Sequence, residues 1–307
     1  MALVAVIIAV AFIFTIFLFN DEKKVLDSKE REIIGGDFCQ LSDGHVYYQV
    51  SGNDSDPQVI LVHGFSTPSF IWDALTRDLV DSGFRVLRYD LYGRGYSDRP
   101  KKAYDSAFFE RQLIELIEKV GIDKKNHLVG LSMGGAISTH FAASHPQLIN
   151  SLTLIDPAGA ASNTPKIAGL LKLPFLGSYL THVLGRQIVF KGFSKCFMKP
   201  ENFLDLKEKM KIQMGYLGFK ASLLSTLKYF PLNDVKEFYS EVGKAEYPVL
   251  LIWGEGDQVT PFEGHKFVLE AIKRVQFHSI PETRHLPLIE KEQVVNTLVN
   301  SFLKASN

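Results

Sequence analysis

The sequence has few cysteines and no net charge. Cys39 and Cys196 are the two cysteines among 307 residues, and Lys plus Arg equal Asp plus Glu at 34 each. Two thiols exclude a disulfide framework and the cysteine clusters that bind structural zinc. Nucleic-acid-binding proteins carry a surplus of basic residues, which this chain lacks. We therefore expect no nucleic-acid partner.

Long apolar runs are also scarce, and the one that stands out is residues 2–19, which contain no charged residue. A helix of this length, rising about 1.5 Å per residue, just crosses a bilayer core of about 30 Å. Basic residues before the run and small residues after it, the marks of a cleaved signal peptide, are absent. We predict an uncleaved single-pass anchor at residues 1–20. Lys and Arg follow the run and none precedes it, which predicts that the rest of the chain lies in the cytoplasm.

The chain after residue 36 alternates short apolar runs with helix-like segments. Residues 37–52 predict a hairpin, and residues 21–36 a charged linker or short helix. Further strands are predicted at residues 59–62, 86–89, 127–131, 152–155, 249–252 and 275–280, and helices at 69–82, 107–120 and 261–273. This alternation predicts an α/β fold with a mostly parallel central sheet and helices on both faces.

The alternation stops between residues 160 and 246, where no strand pattern occurs. Residues 160–230 contain ten Lys and one Arg against three acidic residues, with apolar residues between them. Such a charged segment is typical of a solvated helix face. A basic and apolar surface could equally lie on anionic lipid and admit substrate from it. Both interpretations stay open at this point.

Residues 130–134, Gly-Leu-Ser-Met-Gly, contain the candidate nucleophile, Ser132. An apolar strand precedes them and a helix-like segment with small residues follows. In such a nucleophile elbow the turn is so tight that small residues must flank the serine, whose hydroxyl points out at the sheet edge. The pattern alone also fits a glycine-rich turn with an incidental serine. Its place between strand and helix favours the elbow.

A serine nucleophile needs a base and a group that orients the base. His285 follows the predicted strand at 275–280, and Asp257 follows the strand at 249–252 in a glycine-rich turn. Two other carboxylates compete with Asp257. Glu255 is expected to be solvated within the same turn, and Asp156 is expected to be a turn residue after the strand at 152–155.

With these motifs in order, the chain after about residue 37 resembles the α/β-hydrolase fold family. The resemblance is to the branch that holds meta-cleavage-product hydrolases, small esterases and membrane-anchored monoacylglycerol lipases. His63-Gly64-Phe65 resembles the oxyanion loop of the family, and residues 90–98 resemble its D-x-x-G-x-G-x-S turn. The resemblance implies a hydrolase core at 37–159 and 247–307 with a helical lid inserted at 160–246.

The resemblance also implies roles for individual residues. Ser132 would attack a carbonyl, His285 would accept and return the proton, and Asp257 would hold the imidazole. The backbone N–H groups of Phe65 and Met133 would form the oxyanion hole. The motif at 90–98 is expected to brace the sheet edge, in part through a salt bridge of Arg94, and His63 is expected to hydrogen-bond its own loop.

These expectations together predict a membrane-anchored serine hydrolase that cleaves a carboxylic ester, with an acyl glycerol or similar apolar ester favoured. No cofactor and no metal are implied. A carbon–carbon bond hydrolase of the meta-cleavage type would use the same triad, and Arg186, the single Arg of the lid, would then bind the substrate carboxylate. A receptor or scaffold that keeps the triad with negligible turnover is a third possibility. The sequence leaves the oligomeric state open.

Overall fold

The computed structural model describes residue 1 and residues 14–15, 18–122, 125–161, 168–232 and 235–307. Most of the predicted anchor at residues 1–20 therefore lies outside the described residues, and the anchor stays a prediction. Within the described ranges, no helix has the length and apolar character that crossing a bilayer requires.

An eight-stranded sheet forms the centre of the fold, in the order β1-β2-β4-β3-β5-β6-β7-β8. β1 and β2 are antiparallel to each other, β2 is antiparallel to β4, and all other neighbours are parallel. The strands are β1 Asp37–Leu41, β2 Gly44–Ser51, β3 Gln58–Val62, β4 Arg85–Tyr89, β5 Asn126–Leu131, β6 Ile149–Ile155, β7 Val249–Gly254 and β8 Gln276–Ile280.

Helices cover both faces of this sheet, which is why β3, β5 and β7 are buried along their whole length. Alternate residues of β3 point to opposite sides: Ile60 and Val62 enter one core cluster, while Val59 and Leu61 enter the other. The helices are α1 Ser28–Ile34, α2 Asp73–Asp81, α3 Ser106–Val120, α4 Met133–Ser144, α5 Ala168–Leu171, α6 Leu176–Lys195, α7 Leu204–Met214, α8 Phe219–Tyr229, α9 Lys236–Val242, α10 Gly264–Ala271, α11 Pro287–Glu290 and α12 Glu292–Ala305.

The predicted elements are confirmed with small changes at their ends. The hairpin at 37–52 is present with a two-residue loop, because Leu41 pairs with Gly44. The helix predicted at 69–82 begins with a 3₁₀ turn, Ser69–Trp72, before α2. Capping explains several boundaries: the Asp105 side chain accepts the Phe108 N–H at the start of α3, and Gly121 in the left-handed region ends that helix.

Helices α5 to α9 all lie between β6 and β7, and we call the segment that contains α5 to α8 the cap. The apolar side chains of the cap join the hydrophobic cluster on one face of the central sheet. Phe193, Met210 and Phe219 of the cap are buried there together with Ile71 and Trp72 of the core. The described residues between β6 and β7 form helices, turns and one isolated β-bridge, as the missing strand pattern predicts.

Residues 18–31 lie against the cap, and we call them the strap. Lys24 forms a parallel bridge with Tyr216, since the Lys24 N–H donates to Gly215 O at 2.9 Å and the Leu217 N–H donates to Lys24 O at 2.8 Å. The short helix expected within residues 21–36 is α1, which Asp27 caps. The segment predicted as a linker therefore makes specific contacts with the cap.

Candidate active site

Ser132 lies on the turn between β5, which ends at Leu131, and α4, which begins at Met133. Its φ of 54° and ψ of −119° are an uncommon conformation for a residue other than glycine. The flanking glycines make this turn possible. A Cβ at Gly134 would overlap the carbonyl oxygen of Val62, and a Cβ at Gly130 would meet the Gly134 carbonyl. The structure thus supplies the physical reason for the Gly-x-Ser-x-Gly spacing.

Asp257 and His285 are in direct contact. His285 Nδ1 lies 2.7 Å from Asp257 Oδ2, and both residues are buried, at 4% and 7% exposure. Asp257 follows the end of β7, and His285 lies in the loop after β8. The Gly256 N–H donates to Thr283 O at 2.9 Å, so the two loops are also joined through their main chains.

The surroundings of Asp257 favour its charged form. Burial acts to raise the pKa of this carboxyl, but the neighbouring His285 and hydrogen bonds from His285 and Thr260 outweigh burial, and the pKa is lowered. An ionised Asp257 accepts a hydrogen bond from Nδ1–H of His285. The imidazole then keeps Nε2 unprotonated, which is the tautomer that a general base requires.

The adjacent parallel strands β5, β6, β7 and β8 bring Ser132, Asp257 and His285 to the same sheet edge. Ser132 is tied to the neighbouring strand, because its N–H donates to Ile155 O at 3.0 Å. Among the described residues, hydrogen bonds join His285 to Asp257 and none joins Ser132 Oγ to His285. Catalytic hydrogen bonds are often long or poorly aligned before substrate binds and form fully only in the complex.

The two candidate oxyanion donors also lie at this edge. Met133 is the first residue of α4, where unpaired N–H groups and the helix dipole favour negative charge. Phe65 follows Gly64, and a Cβ built on Gly64 would lie 3.3 Å from Ser132 Cβ. In the described part of the chain, neither the Phe65 nor the Met133 N–H donates to another protein group. Both remain available for an oxyanion.

Arg94 differs from the sequence expectation. The expected salt bridge is wrong for the described residues, in which no carboxylate lies within ion-pair distance of its guanidinium. Arg94 is fully buried and donates from Nε to Phe65 O at 2.9 Å and from Nη2 to Thr226 Oγ1 at 2.8 Å. Burial lowers the pKa of Arg94 to about 9. This side chain therefore links the candidate oxyanion loop to α8.

The rest of the motif at 90–98 has the structural role that was expected. Asp90 accepts the N–H groups of Ser69 and Tyr96, both at 2.8 Å. His63 hydrogen-bonds its own loop: Nδ1 lies 2.9 Å from Gly64 O, and Nε2 accepts the Leu91 N–H at 2.9 Å. Burial lowers the pKa of His63 to about 3, so the ring is neutral and fits this pair of bonds.

Two residues near the site were not identified from the sequence. Thr260 Oγ1 lies 2.6 Å from Asp257 Oδ2, and its position three residues after Asp257 in a turn is a signal that could have indicated it. Gln213 of α7 donates to Ser66 O at 2.6 Å and accepts the Gly95 N–H at 2.8 Å. Nothing in the local sequence of Gln213 distinguishes it, because its partners are distant in the chain.

The rival carboxylates have different surroundings. Glu255 is exposed and accepts a hydrogen bond from Ser279 Oγ at 2.8 Å. Asp156 is fully buried. Its carboxyl clusters with Asp257 and His285: one carboxylate oxygen of each Asp and one ring nitrogen of His285 lie within 4.8 Å of one another. These three side chains are also of the types that bind metal ions.

The 2.7 Å between His285 Nδ1 and Asp257 Oδ2 fits a hydrogen bond. It is shorter than the separation expected for two ligands that each lie about 2.0–2.2 Å from one tetrahedral ion.

Comparisons with known proteins identify the family of this fold. The family model of the alpha/beta hydrolase fold matches residues 57–292, and the chain belongs to that family. It is 26% identical to Lipase 1 of Psychrobacter immobilis over 90% of this chain and 83% of the lipase. It is 25% identical to the 2-hydroxy-6-oxononadienedioate/2-hydroxy-6-oxononatrienedioate hydrolase 1 of Pseudomonas putida, over 87% of this chain and 95% of that hydrolase.

A solved structure shows the same fold. The enol-lactonase of Burkholderia xenovorans superposes with a TM-score of 0.76 at 20% identity, over 87% of this chain and 100% of the enol-lactonase. At that identity the likeness establishes the fold and nothing about the substrate.

Proposed function

We propose that this protein is a serine hydrolase that cleaves a carboxylic ester, with an acyl glycerol or another apolar ester as its substrate. Ser132 acts as nucleophile, His285 as general base and acid, and Asp257 as the group that orients the imidazole. The Phe65 and Met133 N–H groups stabilise the oxyanion. The buried contact of 2.7 Å between His285 and Asp257, at the same sheet edge as the Ser132 elbow, carries the proposal.

The steps follow the chemistry of acyl transfer. The Ser132 hydroxyl loses its proton to His285 Nε2 as Oγ bonds to the ester carbon, and the carbonyl oxygen becomes an oxyanion. His285 returns the proton to the leaving alkoxide, which departs as the alcohol and leaves an acyl-enzyme. Water then attacks that ester with the same proton transfers and releases the acid.

Arg186 bears on the carbon–carbon bond alternative. Its Nη1 lies 3.5 Å from Asp21 Oδ2 of the strap, and the side chain is 45% exposed. A guanidinium that pairs with the strap does not supply the carboxylate-binding group that a dienoate substrate would need. We therefore favour the ester, while relatives of both kinds are similar to this chain at comparable identity.

A fluorophosphonate probe tests the proposal directly. We expect labelling of the full-length protein, loss of labelling in Ser132→Ala, and competition by monoacylglycerols. Ser194→Ala, which changes a cap serine that bonds to Phe190 O, serves as the matched control and should label normally. Labelling without competition by any ester would favour the carbon–carbon alternative. Absence of labelling would favour a receptor or scaffold.

We further propose that residues 1–20 anchor the protein as a single pass, with the hydrolase domain in the cytoplasm and the cap against the lipid. Exposed apolar side chains at the start of α6 support this: Phe175 is 92% exposed and Leu173 45%. Thr15 Oγ1 lies 2.9 Å from Tyr179 OH, so the apolar run contacts α6 of the cap.

Binding to vesicles tests the cap surface separately from the anchor. A chain lacking residues 1–17 should bind vesicles that contain anionic lipid more strongly than neutral ones. Phe175→Asp should weaken that binding, whereas Val294→Asp, at a 48% exposed position of α12, should not. Binding that ignores both anionic lipid and Phe175→Asp would contradict the proposed cap surface.

A further inference from the structure

Asp156 is held rigidly at the end of β6. Its φ of 43° lies in the left-handed region, and its side chain is fully buried. The Asp156 N–H donates to Ile252 O at 2.9 Å, and the Gly254 N–H donates to Asp156 Oδ1 at 2.9 Å. The carboxyl is therefore fixed against the strand that leads to Asp257.

The other oxygen of this carboxyl has no ordinary donor. Asp156 Oδ2 is buried, and in the described part of the chain it meets no N–H or hydroxyl group. A carboxyl oxygen of Asp156, a carboxyl oxygen of Asp257 and a ring nitrogen of His285 lie within 4.8 Å of one another. Two ionised carboxylates this close in a buried place repel strongly, so the pair retains one proton.

The hydrogen-bond partners decide which residue carries that proton. Asp257 faces His285 Nδ1, the Val259 and Thr260 N–H groups and the Thr260 hydroxyl. Asp156 receives one N–H, from Gly254. We propose that Asp156 is a neutral carboxylic acid whose Oδ2–H donates to the Asp257 carboxylate, and that it acts as a positioning residue for the candidate triad.

The charges around Asp156 agree with a neutral acid. Burial raises the pKa of Asp156 well above its ordinary value, and the negative charge of Asp257 raises it further. The negative charge of Glu290 of α11 also raises the pKa of Asp156. The Cys196 thiol, directly after α6, is neutral, because burial and the negative charge of Asp257 raise its pKa.

The Asp156–Asp257 pair helps to orient His285, and this part of the inference rests on the proposed function. The cluster carries one negative charge, and that charge is on Asp257. A donor from Asp156 fixes the Asp257 carboxylate in the orientation that receives Nδ1–H, and it offsets part of the burial of that anion. With Nδ1 held by Asp257, Nε2 is the ring nitrogen left to accept the Ser132 proton.

Two substitutions at Asp156 test the inference by activity. In Asp156→Asn the amide oxygen accepts the Gly254 N–H and the amide NH₂ donates to Asp257, as the neutral acid does. In Asp156→Ala both bonds are lost. We expect kcat to fall about a hundredfold in the Ala variant with little change in KM, and Asn to restore it to within about threefold of wild type.

Stability against pH gives a readout that needs no activity. Folded Asp156 keeps a proton that the unfolded chain releases at an ordinary carboxyl pKa, so wild-type stability falls as the pH rises above that value. Asn has no such proton. The melting temperature of Asp156→Asn should therefore exceed that of wild type by a margin that grows with pH from the acid range to neutrality.

Asp43→Asn is the matched control with the opposite sign. Asp43 pairs with Lys102 and Arg111, and these partners outweigh burial and lower its pKa. Its Asn variant should lose stability relative to wild type as the pH rises through the acid range. A melting temperature for Asp156→Asn that falls below wild type in the same way would show an ionised Asp156 and overturn the inference.

The outcome also separates this inference from the proposed function. If Asp156→Asn abolishes turnover as completely as Asp257→Asn, Asp156 is the charged acid and the inference is overturned. If wild type shows no fluorophosphonate labelling while Asp156→Asn is stabilised as expected, the proposed function fails and the neutral acid stands.

Discussion

The candidate active site and the cap hold their polar groups by different means. In the site, the main chain makes most of the contacts: the Ser132 N–H donates to Ile155 O at 3.0 Å, and the Ala158 N–H donates to Ser132 O at 2.9 Å. Asp257 Oδ1 accepts the main-chain N–H groups of Val259 and Thr260. These groups belong to strand ends whose positions the sheet determines.

The cap and strap are joined largely through side chains. Glu22 accepts the Gly218 and Lys220 N–H groups at 2.9 and 2.6 Å, at the start of α8. Lys220 Nζ in turn donates to Phe19 O at 3.1 Å and pairs with Asp21. Tyr216 OH lies 2.8 Å from Glu30.

The difference shows where each region tolerates change. Main-chain contacts persist when most side chains are replaced, but they require glycine wherever two backbones meet closely. Side-chain contacts disappear one at a time with each substitution. Changes in the site should therefore affect turnover, and changes in the strap should affect the stability of the cap.

Asp257→Asn should have the largest effect. The substitution keeps the shape but favours the wrong imidazole tautomer, so kcat should fall by up to about ten-thousandfold with the fold intact. Steady-state kinetics on an ester substrate, with circular dichroism as a check on folding, measures this. Glu255→Gln is the matched control, since that exposed carboxylate bonds to Ser279. A larger loss in Glu255→Gln would contradict the assignment.

Gly134→Ala should have the next largest effect. Its Cβ would overlap the carbonyl oxygens of Val62 and His63, so the elbow must shift. A displacement of this kind can cost about a hundredfold in rate. The rate of fluorophosphonate labelling measures it. Gly192→Ala on α6 has nothing within 4 Å and should leave labelling unchanged; an equal loss there would refute the steric explanation.

Arg94→Met should have an intermediate effect, because Arg94 holds the Phe65 carbonyl and joins both regions through Thr226. We expect kcat to fall about tenfold as the oxyanion loop loses its orientation. Arg88→Met, which removes the ion pair with Asp73, is the control and should change kcat little. Equal kinetics for Arg94→Met and wild type would show that the loop is positioned without Arg94.

Glu22→Gln should have the smallest effect on turnover. It removes a carboxylate from the start of α8, which should destabilise the protein by about 1 kcal/mol and leave kcat nearly unchanged. Denaturant unfolding measures this. Glu208→Gln, an exposed surface pair with Lys211, should change stability by less than about 0.5 kcal/mol. A similar loss in both variants would mean that the strap contact is an ordinary surface contact.

Much of the core could be predicted from the sequence, because each strand and its loop follow from local pattern. The apolar run and the Gly-Leu-Ser-Met-Gly turn predict β5, Ser132 and α4, and the structure has them within one residue. The order of Asp257 and His285 after β7 and β8 likewise predicts that both lie at one sheet edge. Their contact at 2.7 Å is in keeping with this expectation.

Contacts between distant segments could not be predicted in this way. Arg94 was expected to form a salt bridge, and it bonds instead to Phe65 O and Thr226, which is 132 residues away in the chain. Residues 21–36 were expected to be a linker or short helix, and Glu22 among them accepts the Gly218 N–H at the start of α8, 196 residues away in the chain. Neither contact leaves a signal in the local periodicity or spacing of the sequence, because its partners are far apart in the chain.

By itself, the sequence determined the order of strands and helices, the glycines of the elbow and the residue types of the candidate triad. Those features depend on backbone conformation and on apolar patterning over a few residues. Only the tertiary structure decided that Asp156 lies beside Asp257 and that Arg94 is buried with hydrogen bonds to Phe65 O and Thr226 in place of a salt bridge. The charge state of a buried group depends on the dielectric and the partners that packing creates, and these come from segments far apart in the chain.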